Sequence, residues 1–513
     1  MRTSLLLLFL AVMIGSCKRD EADPLHPIAR GEVLQQRENL APVPQDGPLV
    51  REELDRIVLG TLQQNDGFNW GMVDLRTLWS ATQYGEHHVA IGYQPTGMGD
   101  ISDITHLVNI KDPAWTAVHD ALIDLVLTSL NKERSTPLRL SDILVEDDQK
   151  LPIITLRFTD KEVLTAIYNL KNVRYVEPLG YWPAVGVDRS TSGCGASATA
   201  VNAADVSTIT PNAKLPWNFN NHTIPGAWAV GQGQGITVGV IDAGISSAQP
   251  LIGSSFNSGD SNIGRTMTMG FTFGGSAYSS CTHGTSMSGL ATGPRNSVGA
   301  TTGVGYKSNL HFIRGCEDVV LDLSSELTGV KNALVQMGDN TSVRVVSMSI
   351  GTPFSSGVLT DGVNYAYGRG KMLMAAAGTS FSWLSWWGVI YPAALTKCVA
   401  VTGVKENGSK CASCHDGSQV DLTICMERNA SSSRNSLSLS PSGNTPSYIG
   451  GSSAATSTAA GIAALVWGTK PTATREQVLQ CLTTTSQFAN TPSSSKGYGN
   501  INAQAAVNCA LAL

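Results

Sequence analysis

Residues 235–244 read GITVGVIDAG, a run of branched apolar residues that ends in an acidic residue and a glycine. Such a run is typical of a strand buried on both faces, because β-branched side chains pack well on a pleated surface. Short runs of the same kind recur as LHFIRG, VRVVSMSIG, KMLMAAAG and KCVAVTGV. Segments with helical spacing separate them, among them THGTSMSGLATG and SSELTGVKNALVQMG. This alternation predicts an α/β fold with a mostly parallel central sheet flanked by helices, whose site lies at the carboxyl ends of the strands.

The chain has 513 residues, which is too long for one ordinary domain. Its net charge of -5 and its 15% of charged residues exclude a basic nucleic-acid-binding protein. Composition and periodicity divide the chain into segments with different expected roles. They are a signal at 1–17, a tether with one helical segment at 18–85, a small α+β unit at 86–183, a connector at 184–215 and the α/β domain at 216–513. The connector is rich in Ser, Thr, Gly and Ala, so we expect proteases to cut it.

The first residues, MRTSLLLLFLAVMIGSC, carry an early arginine, an apolar run and small residues before Cys17. This pattern is typical of an export signal and is too short to cross a bilayer. The ending Ile14-Gly15-Ser16-Cys17 is similar to a bacterial lipobox, in which the cysteine sulfur takes a lipid. The alternative is an ordinary cleaved signal with an incidental cysteine. We therefore expect an exported protein that reaches a membrane only through a lipid anchor.

Three residues could carry nucleophilic chemistry, although each also has a structural interpretation. Asp242 ends a strand run, but its role could be no more than shaping a turn. His283 opens a helix of small residues, but it could be no more than the cap of that helix. Ser453 lies in GGSSAATSTAAG, residues 450–461, which could be nothing more than a small-residue helix start. A serine becomes a nucleophile only when a base takes its proton and a carboxylate orients that base. The three residues occur in the order Asp, His, Ser, each at a predicted strand end or helix start.

This arrangement resembles the subtilisin-like serine peptidases. Their signatures are a strand ending in D-[ST]-G, then H-G-[TS]-x-[VM]-[AS]-G, then G-T-S-M-A-x-P-x-x-A-G. The chain offers DAG at 242–244, HGTSMSG at 283–289 and GSSAATSTAAG at 451–461. The resemblance extends over about 216–511, and it implies a subtilisin-like three-layer fold and a serine-type endopeptidase.

The resemblance also implies roles for further residues. Ser349, Ile350 and Gly351 would line the substrate cleft, and the triad would need no cofactor. The unit at 86–183 resembles the family's ferredoxin-like inhibitory propeptide, so the chain would be made as a zymogen. Expected partners are protein or peptide substrates and the propeptide itself, and the protein would be a monomer without a nucleic-acid partner. Family members often bind structural calcium, whose ligands the sequence does not identify.

The chain departs from the family pattern at several positions near the site. Thr379 stands where the asparagine that stabilises the oxyanion is expected, and we take Thr379 as its replacement. Ala243 replaces the usual Thr or Ser after the aspartate, and Ser457 replaces the usual Pro. These departures keep open an alternative, namely a weakened or inactive subtilase-fold protein that binds partners at the surface.

Ten cysteines include Cys17 and leave nine for the folded protein, so at least one has no partner among them. From extracellular subtilases we expect a Cys281–Cys316 disulfide, and Cys481 and Cys509 form a second candidate pair. Cys194 is then left over. Four further cysteines allow three pairings, which stay open: Cys398, Cys411, Cys414 and Cys425.

The segment CASCH at 411–415 matches the C-x-x-C-H pattern for covalent haem. A haem or a zinc site there is disfavoured, because the segment lies in a cysteine-rich insertion of an exported chain, where disulfides form. We therefore expect no metal among the catalytic residues.

Overall fold

The structure is a computed structural model. It describes residues 33–65, 67–184, 194, 200–379 and 388–513. The predicted signal, the lipid-attachment residue Cys17 and the start of the predicted tether lie outside the described residues, as does most of the predicted connector up to residue 199.

The described chain forms two units that pack on each other. The first, called the N-terminal unit, covers residues 33–184, and the second, called the C-terminal unit, covers residues 200–513. The elements of the N-terminal unit are α1 (Arg51–Asn65), α2 (Leu75–Tyr84), β1 (His88–Tyr93), α3 (Pro113–Asn131), α4 (Leu140–Ile143), β2 (Leu144–Asp147), β3 (Ile153–Arg157), α5 (Lys161–Tyr168) and β4 (Val173–Leu179).

The N-terminal unit is built on a four-stranded antiparallel sheet with the order β2-β3-β1-β4. Helices α3 and α5 connect its strands, which gives the strand-helix-strand-strand-helix-strand order of a ferredoxin-like α+β unit. The structure differs from the sequence-based boundary at residue 86, because α1 and α2 belong to the same core. Leu54 and Val58, one turn apart on α1, are fully buried and pack in the cluster that contains Leu78 and Val89. The described part of 18–85 is therefore part of the folded unit and not a tether.

The C-terminal unit begins with short elements and continues with alternating strands and helices. Its strands are β5 (Val206–Ile209), β6 (Ala213–Pro216), β7 (Thr237–Asp242), β8 (Met267–Phe271), β9 (Asn309–Arg314), β10 (Val343–Met348), β11 (Met372–Ala376), β12 (Cys398–Lys405), β13 (Leu422–Arg428), β14 (Ser431–Leu439) and β15 (Pro446–Ile449). Its helices are α6 (Asn218–Asn221), α7 (Ile224–Ala227), α8 (His283–Thr292), α9 (Ser324–Asp339), α10 (Gly357–Gly368), α11 (Gly451–Thr469), α12 (Arg475–Thr484) and α13 (Ala503–Leu511).

A nine-stranded sheet forms the middle layer of this unit, with the order β15-β14-β13-β12-β11-β10-β7-β9-β8. All pairs from β8 to β13 are parallel, and β14 pairs antiparallel with both of its neighbours, β13 and β15. Helices α8, α11, α12 and α13 belong to one packed core, whereas α9 and α10 pack in the core of the opposite face. The predicted α/β fold with a mostly parallel sheet is confirmed. No helix in the described part of the chain is long and apolar enough to span a membrane.

The C-terminal unit starts before the predicted boundary at residue 216. Strands β5 and β6 pair as a two-stranded sheet ahead of it, and the carboxylate of Asp205 is fully buried. Arg428 Nε donates to Asp205 Oδ1 at 2.9 Å, and Arg434 Nε donates to Asp205 Oδ2 at 2.8 Å. This buried ion cluster fixes residues just after the connector to strands β13 and β14.

The strand order places the site. Strand β7 lies between β9 and β10, so the chain moves to one side of β7 and later returns to the other. Clefts in open α/β sheets form at such a switch point, beyond the carboxyl ends of the strands. Asp242 is the last residue of β7 and therefore lies at the floor of that cleft.

Candidate active site

The three residues singled out in the sequence come from three different elements at this edge of the sheet. Asp242 ends β7, His283 is the first residue of α8, and Ser453 lies in the first turn of α11. Helices α8 and α11 approach closely because small residues line their contact, where a Cβ on Gly461 would lie 3.0 Å from Ala291 O. His283 and Ser453 line one cavity of about 330 Å³. The structure therefore brings the predicted residues together.

His283 is oriented by the buried carboxylate of Asp242. The distances from His283 Nδ1 to Asp242 Oδ1 and Oδ2 are 2.9 and 3.0 Å. Asp242 is fully buried and His283 is 5% exposed, so water does not weaken this contact. A carboxylate only accepts, so Nδ1 donates and Nε2 is left with the lone pair that a general base needs.

The surroundings of His283 set its protonation. Burial lowers the pKa of His283, but the charge of Asp242, the hydrogen bond to it and the charge of Asp318 together outweigh burial, so the pKa is raised above its ordinary value of 6.5. The imidazolium form is thus stabilised where a proton would be taken up during catalysis.

Two glycines, at 450 and 451, precede Ser452 and Ser453 at the start of α11. Gly451 has φ of 74°, in the left-handed region, and a Cβ there would lie 2.9 Å from Thr379 Oγ1, so a glycine is required on both grounds. Ser453 Oγ donates to Ser349 O over a long 3.4 Å, whereas Ser349 Oγ donates to Ser453 O at 2.9 Å. The Ser453 hydroxyl is therefore bonded to the backbone after β10 and not to the His283 imidazole.

Thr379 lies beside the first turn of α11. Its hydroxyl is 3.2 Å from Ser452 Oγ, which also accepts from Gly378 N at 3.1 Å. Ser452 was not predicted as a site residue, although its position beside Ser453 is a signal that could have identified it. The Thr379 hydroxyl therefore faces the same helix start as the backbone N–H groups around Ser453.

Ser349, Ile350 and Gly351 continue from β10 along the wall of the cavity. Gly351 is already paired with the chain itself, since Gly351 N donates to Val319 O and Leu321 N donates to Gly351 O, both at 2.9 Å. The sequence did not predict this pairing, although the short apolar run VVL at 319–321 is the kind of segment that can add to a strand.

The cysteines differ from the expected pattern at one pair. Cys281 forms a disulfide with Cys194, the cysteine expected to be left over, and Cys316 is a buried free thiol. The expected Cys281–Cys316 disulfide is therefore wrong, because the Cα atoms of Cys194 and Cys281 lie 4.5 Å apart and Cys281 can bond only once.

Two further disulfides join other expected cysteines. Cys481 of α12 is joined to Cys509 of α13, and Cys411 is joined to Cys414. Cys398 and Cys425 are buried free thiols. Among the described residues, no group of three or more His, Cys, Asp or Glu side chains is arranged to hold a metal ion, so we assign no calcium ligands.

Comparison with known proteins bears on the same part of the chain. The Subtilase family profile, Peptidase S8, matches residues 233–500, which is more than half of the chain and includes all three site residues. The chain belongs to the subtilase family. As a subtilase it is a serine-type endopeptidase, and its substrates are proteins or peptides.

Individual relatives are distant from this subtilase. It is 28% identical to the thermostable alkaline protease of Halalkalibacterium halodurans over 57% of this chain and 73% of that protein. It is also 28% identical to subtilisin Savinase of Lederbergia lenta, over 57% of this chain and 98% of that protein. Among solved structures it is similar to MycP1 from Mycobacterium smegmatis, with 19% identity, a TM-score of 0.46, and coverage of 61% of this chain and 89% of that one.

Proposed function

We propose that this subtilase is an exported endopeptidase, made as a zymogen, in which Asp242, His283 and Ser453 form the catalytic triad. The observation that carries the proposal is the buried Asp242–His283 hydrogen bond at one side of the cavity that Ser453 lines. In this reaction His283 Nε2 takes the proton of Ser453 as Oγ attacks the scissile carbonyl. His283 then gives that proton to the leaving amine, and water hydrolyses the acyl-enzyme by the same route.

The oxyanion would be held at the start of α11. The backbone N–H of Ser453 lies in a helical first turn, where such groups have no partner within the helix. The hydroxyl of Thr379 would be the second donor, because it faces the same turn. Substrate would contact the cavity wall formed by Ser349, Ile350 and Gly351, and a backbone hydrogen bond to Gly351 would require substrate to displace its pairing with Val319 and Leu321.

Removing the Thr379 hydroxyl tests this assignment. We expect Thr379→Val, which keeps the shape of the side chain, to lower kcat by about 100-fold with little change in KM, because an oxyanion donor acts mainly in the transition state. Thr379→Asn restores a donor with longer reach and should preserve or raise kcat. Steady-state kinetics on a peptide substrate measure both, and a large fall for Thr379→Asn would contradict the assignment.

The N-terminal unit would be the inhibitory propeptide. Two of its carboxylates accept hydrogen bonds from the first residues of α9 and α10, the two helices of the C-terminal unit that it covers. Glu86 Oε1 accepts from Ser324 N, the first residue of α9, at 3.2 Å, and Glu177 Oε1 accepts from Gly357 N, the first residue of α10, at 2.6 Å. Negative groups are stabilised at helix N-termini, so the start of α9 favours the ionised Glu86, whose pKa is lowered to about 2 chiefly by its hydrogen bond to His88. Burial raises the pKa of Glu177 to about 7, so at α10 the contribution is the hydrogen bond and not a full charge.

Charged pairs add to this interface. Arg174 of the N-terminal unit contacts Asp361 of α10 with two hydrogen bonds, one of 2.9 Å from Nη1 to Oδ1. Lys331 of α9 is fully buried, and its ammonium contacts Asp148 and donates to Glu146 Oε1 at 2.8 Å. A lysine is almost never fully buried unless it is paired, so Lys331 depends on the N-terminal unit.

Lys331→Met should therefore destabilise the uncut chain more than the matured enzyme. Removing one partner of a buried ion pair costs about 3–5 kcal/mol, because the other charge stays buried. Denaturant unfolding of the uncut chain, kept uncut by Ser453→Ala, measures this cost. The matched control is Lys150→Met, which removes a largely exposed lysine paired with Asp339 at 3.3 Å and should cost less than about 1 kcal/mol. Equal losses from the two variants would contradict a propeptide role for the buried pair.

Export rests on the sequence pattern of the first seventeen residues and on the secreted character of relatives such as the minor extracellular protease of Bacillus subtilis. We propose lipid attachment at Cys17 on the same sequence pattern.

A fluorophosphonate probe tests the proposed activity directly, because it reacts only with a serine that a neighbouring base activates. We expect the matured protein to be labelled at Ser453. Absence of labelling in the cut protein would favour the alternative, a subtilase-fold binding protein, for which the threonine at 379 is the supporting observation.

A further inference from the structure

The CASCH segment, residues 411–415, is a sequence motif that the triad does not use. Its two cysteines form a disulfide that closes a loop of four residues between strands β12 and β13. Both cysteines are buried, whereas Ala412 is exposed at the tip of the loop. We call residues 411–415 the disulfide loop.

The disulfide loop packs directly on the segment that carries Thr379. Cys414 forms an antiparallel bridge with Thr379, and His415 N donates to Gly378 O at 2.9 Å. The loop is so close that a Cβ on Gly378 would lie 2.4 Å from His415 Nδ1. Gly378 and Thr379 are therefore held between Ser452 at the start of α11 and the disulfide loop on the other side.

Several contacts fix the loop itself. Ala412 N donates to Glu427 Oε2 at 2.7 Å, and Glu427 is a buried residue of β13 that pairs with Lys405 at 3.3 Å. Lys410 and Asp416, which flank the loop, form an ion pair of 2.9 Å. His415 Nδ1 donates to Gly388 O at 2.9 Å. The loop is thus anchored to the sheet on one side and to the chain beyond Thr379 on the other.

We propose that the Cys411–Cys414 disulfide is a positioning element for the oxyanion site, which holds the Thr379 hydroxyl in place against the start of α11. The inference rests on the proposed function, since it assigns the loop to the donor that stabilises the oxyanion. Ser413 lines the same cavity as Ser453, so the loop also forms part of the wall that substrate meets. Misplacing a donor by a fraction of an ångström weakens transition-state binding more than substrate binding.

The test removes the disulfide in the full-length protein and measures the matured enzyme. We expect the double variant Cys411→Ala/Cys414→Ala to lower kcat at least 10-fold and to change KM less than twofold. The matched control is Cys481→Ala/Cys509→Ala, which removes a disulfide between α12 and α13, far from Thr379. It should lower the Tm at least as much, because it closes a longer loop, and it should keep kcat. If kcat falls in proportion to Tm in both double variants, the effect of the loop on kcat follows from lost stability alone. The loop is then only structural and the inference is wrong.

A double-mutant cycle with Thr379→Val sharpens the test. In the Thr379→Val background the loop variant should lower kcat less than twofold further, because the donor that it positions is already absent. Full additivity of the two losses would overturn the inference. Glu427→Gln supplies a milder change should the cysteine variant not fold, and it should lower kcat in wild type but not in Thr379→Val.

Fluorophosphonate labelling separates the two possible failures. If the wild-type matured protein is not labelled, the proposed function fails. If wild type is labelled and the loop variant is labelled at the same rate, the proposed function stands and the positioning role fails.

Discussion

Replacing Ser453 with alanine is expected to lower kcat for peptide hydrolysis by about a million-fold, the loss seen when the nucleophile of a related subtilase is removed. The reason is that Ser453, which lines the cavity with His283, is the proposed nucleophile, so no acyl-enzyme would form without its hydroxyl. The same variant should accumulate as an uncut chain if the protein matures by cutting itself. Steady-state kinetics on a peptide substrate measure the loss of kcat. N-terminal sequencing of the purified wild type and variant shows whether each chain is cut and at which position.

The control for this prediction is Ser486→Ala. Ser486 is a buried serine beyond the end of α12 whose hydroxyl donates to Leu482 O at 2.7 Å, so its removal is chemically the same change at a place remote from the cavity. Activity and cutting should stay at wild-type levels. Retention of most activity by Ser453→Ala would show that another residue is the nucleophile.

Asp242→Asn has the second largest expected effect, a loss of about 10⁴-fold in kcat. An amide at position 242 no longer forces His283 Nδ1 to carry the proton, and it does not stabilise the imidazolium that forms in the transition state. The fold should persist, because the amide is the same size as the carboxylate that it replaces. Circular dichroism of the variant checks the fold while kinetics check the loss.

The pH dependence of this pair gives an independent readout. In wild type, kcat/KM should rise with pH as His283 loses its proton, with a midpoint above 6.5 because the pKa of His283 is raised. Without the charge of Asp242, burial outweighs the remaining charge of Asp318, so the pKa of His283 falls and the midpoint should move to lower pH. Asp260→Asn, at an exposed residue that pairs with Lys307 at 3.8 Å, should leave the midpoint where it is. An unchanged midpoint in Asp242→Asn would mean that Asp242 does not set the protonation of His283.

The sheet could be predicted from sequence because its strands are short continuous apolar runs and its helices have clear spacing. The run TVGVID, for example, became β7 with Asp242 as its last residue, at the edge where the predicted site lies. The helix starts at His283 and Gly451 could be predicted because a local run of small residues marks each of them.

The features that the sequence did not predict depend on packing between distant segments. Helix α2 carries Leu75, Leu78 and Trp79 at helical spacing, which indicates an apolar face, but the core that this face joins is set by tertiary contacts with distant segments. The Cys194–Cys281 disulfide joins residues 87 positions apart, and nothing local distinguishes Cys194 from Cys316 as the partner. The Gly351 pairing with Val319 and Leu321 likewise arises only once both segments lie at the same sheet edge.

If the chain matures by the proposed cut in the connector, the Cys194–Cys281 disulfide determines whether the two products stay covalently joined. A cut before residue 194 would leave the N-terminal unit held only by its noncovalent contacts with α9 and α10, and it would leave a short new terminus bonded beside His283. A cut in the connector after residue 194 would give two chains that are still one covalent molecule, so a lipid on Cys17 would keep the mature enzyme on the membrane until the disulfide is reduced. Electrophoresis with and without reductant distinguishes the two products by size.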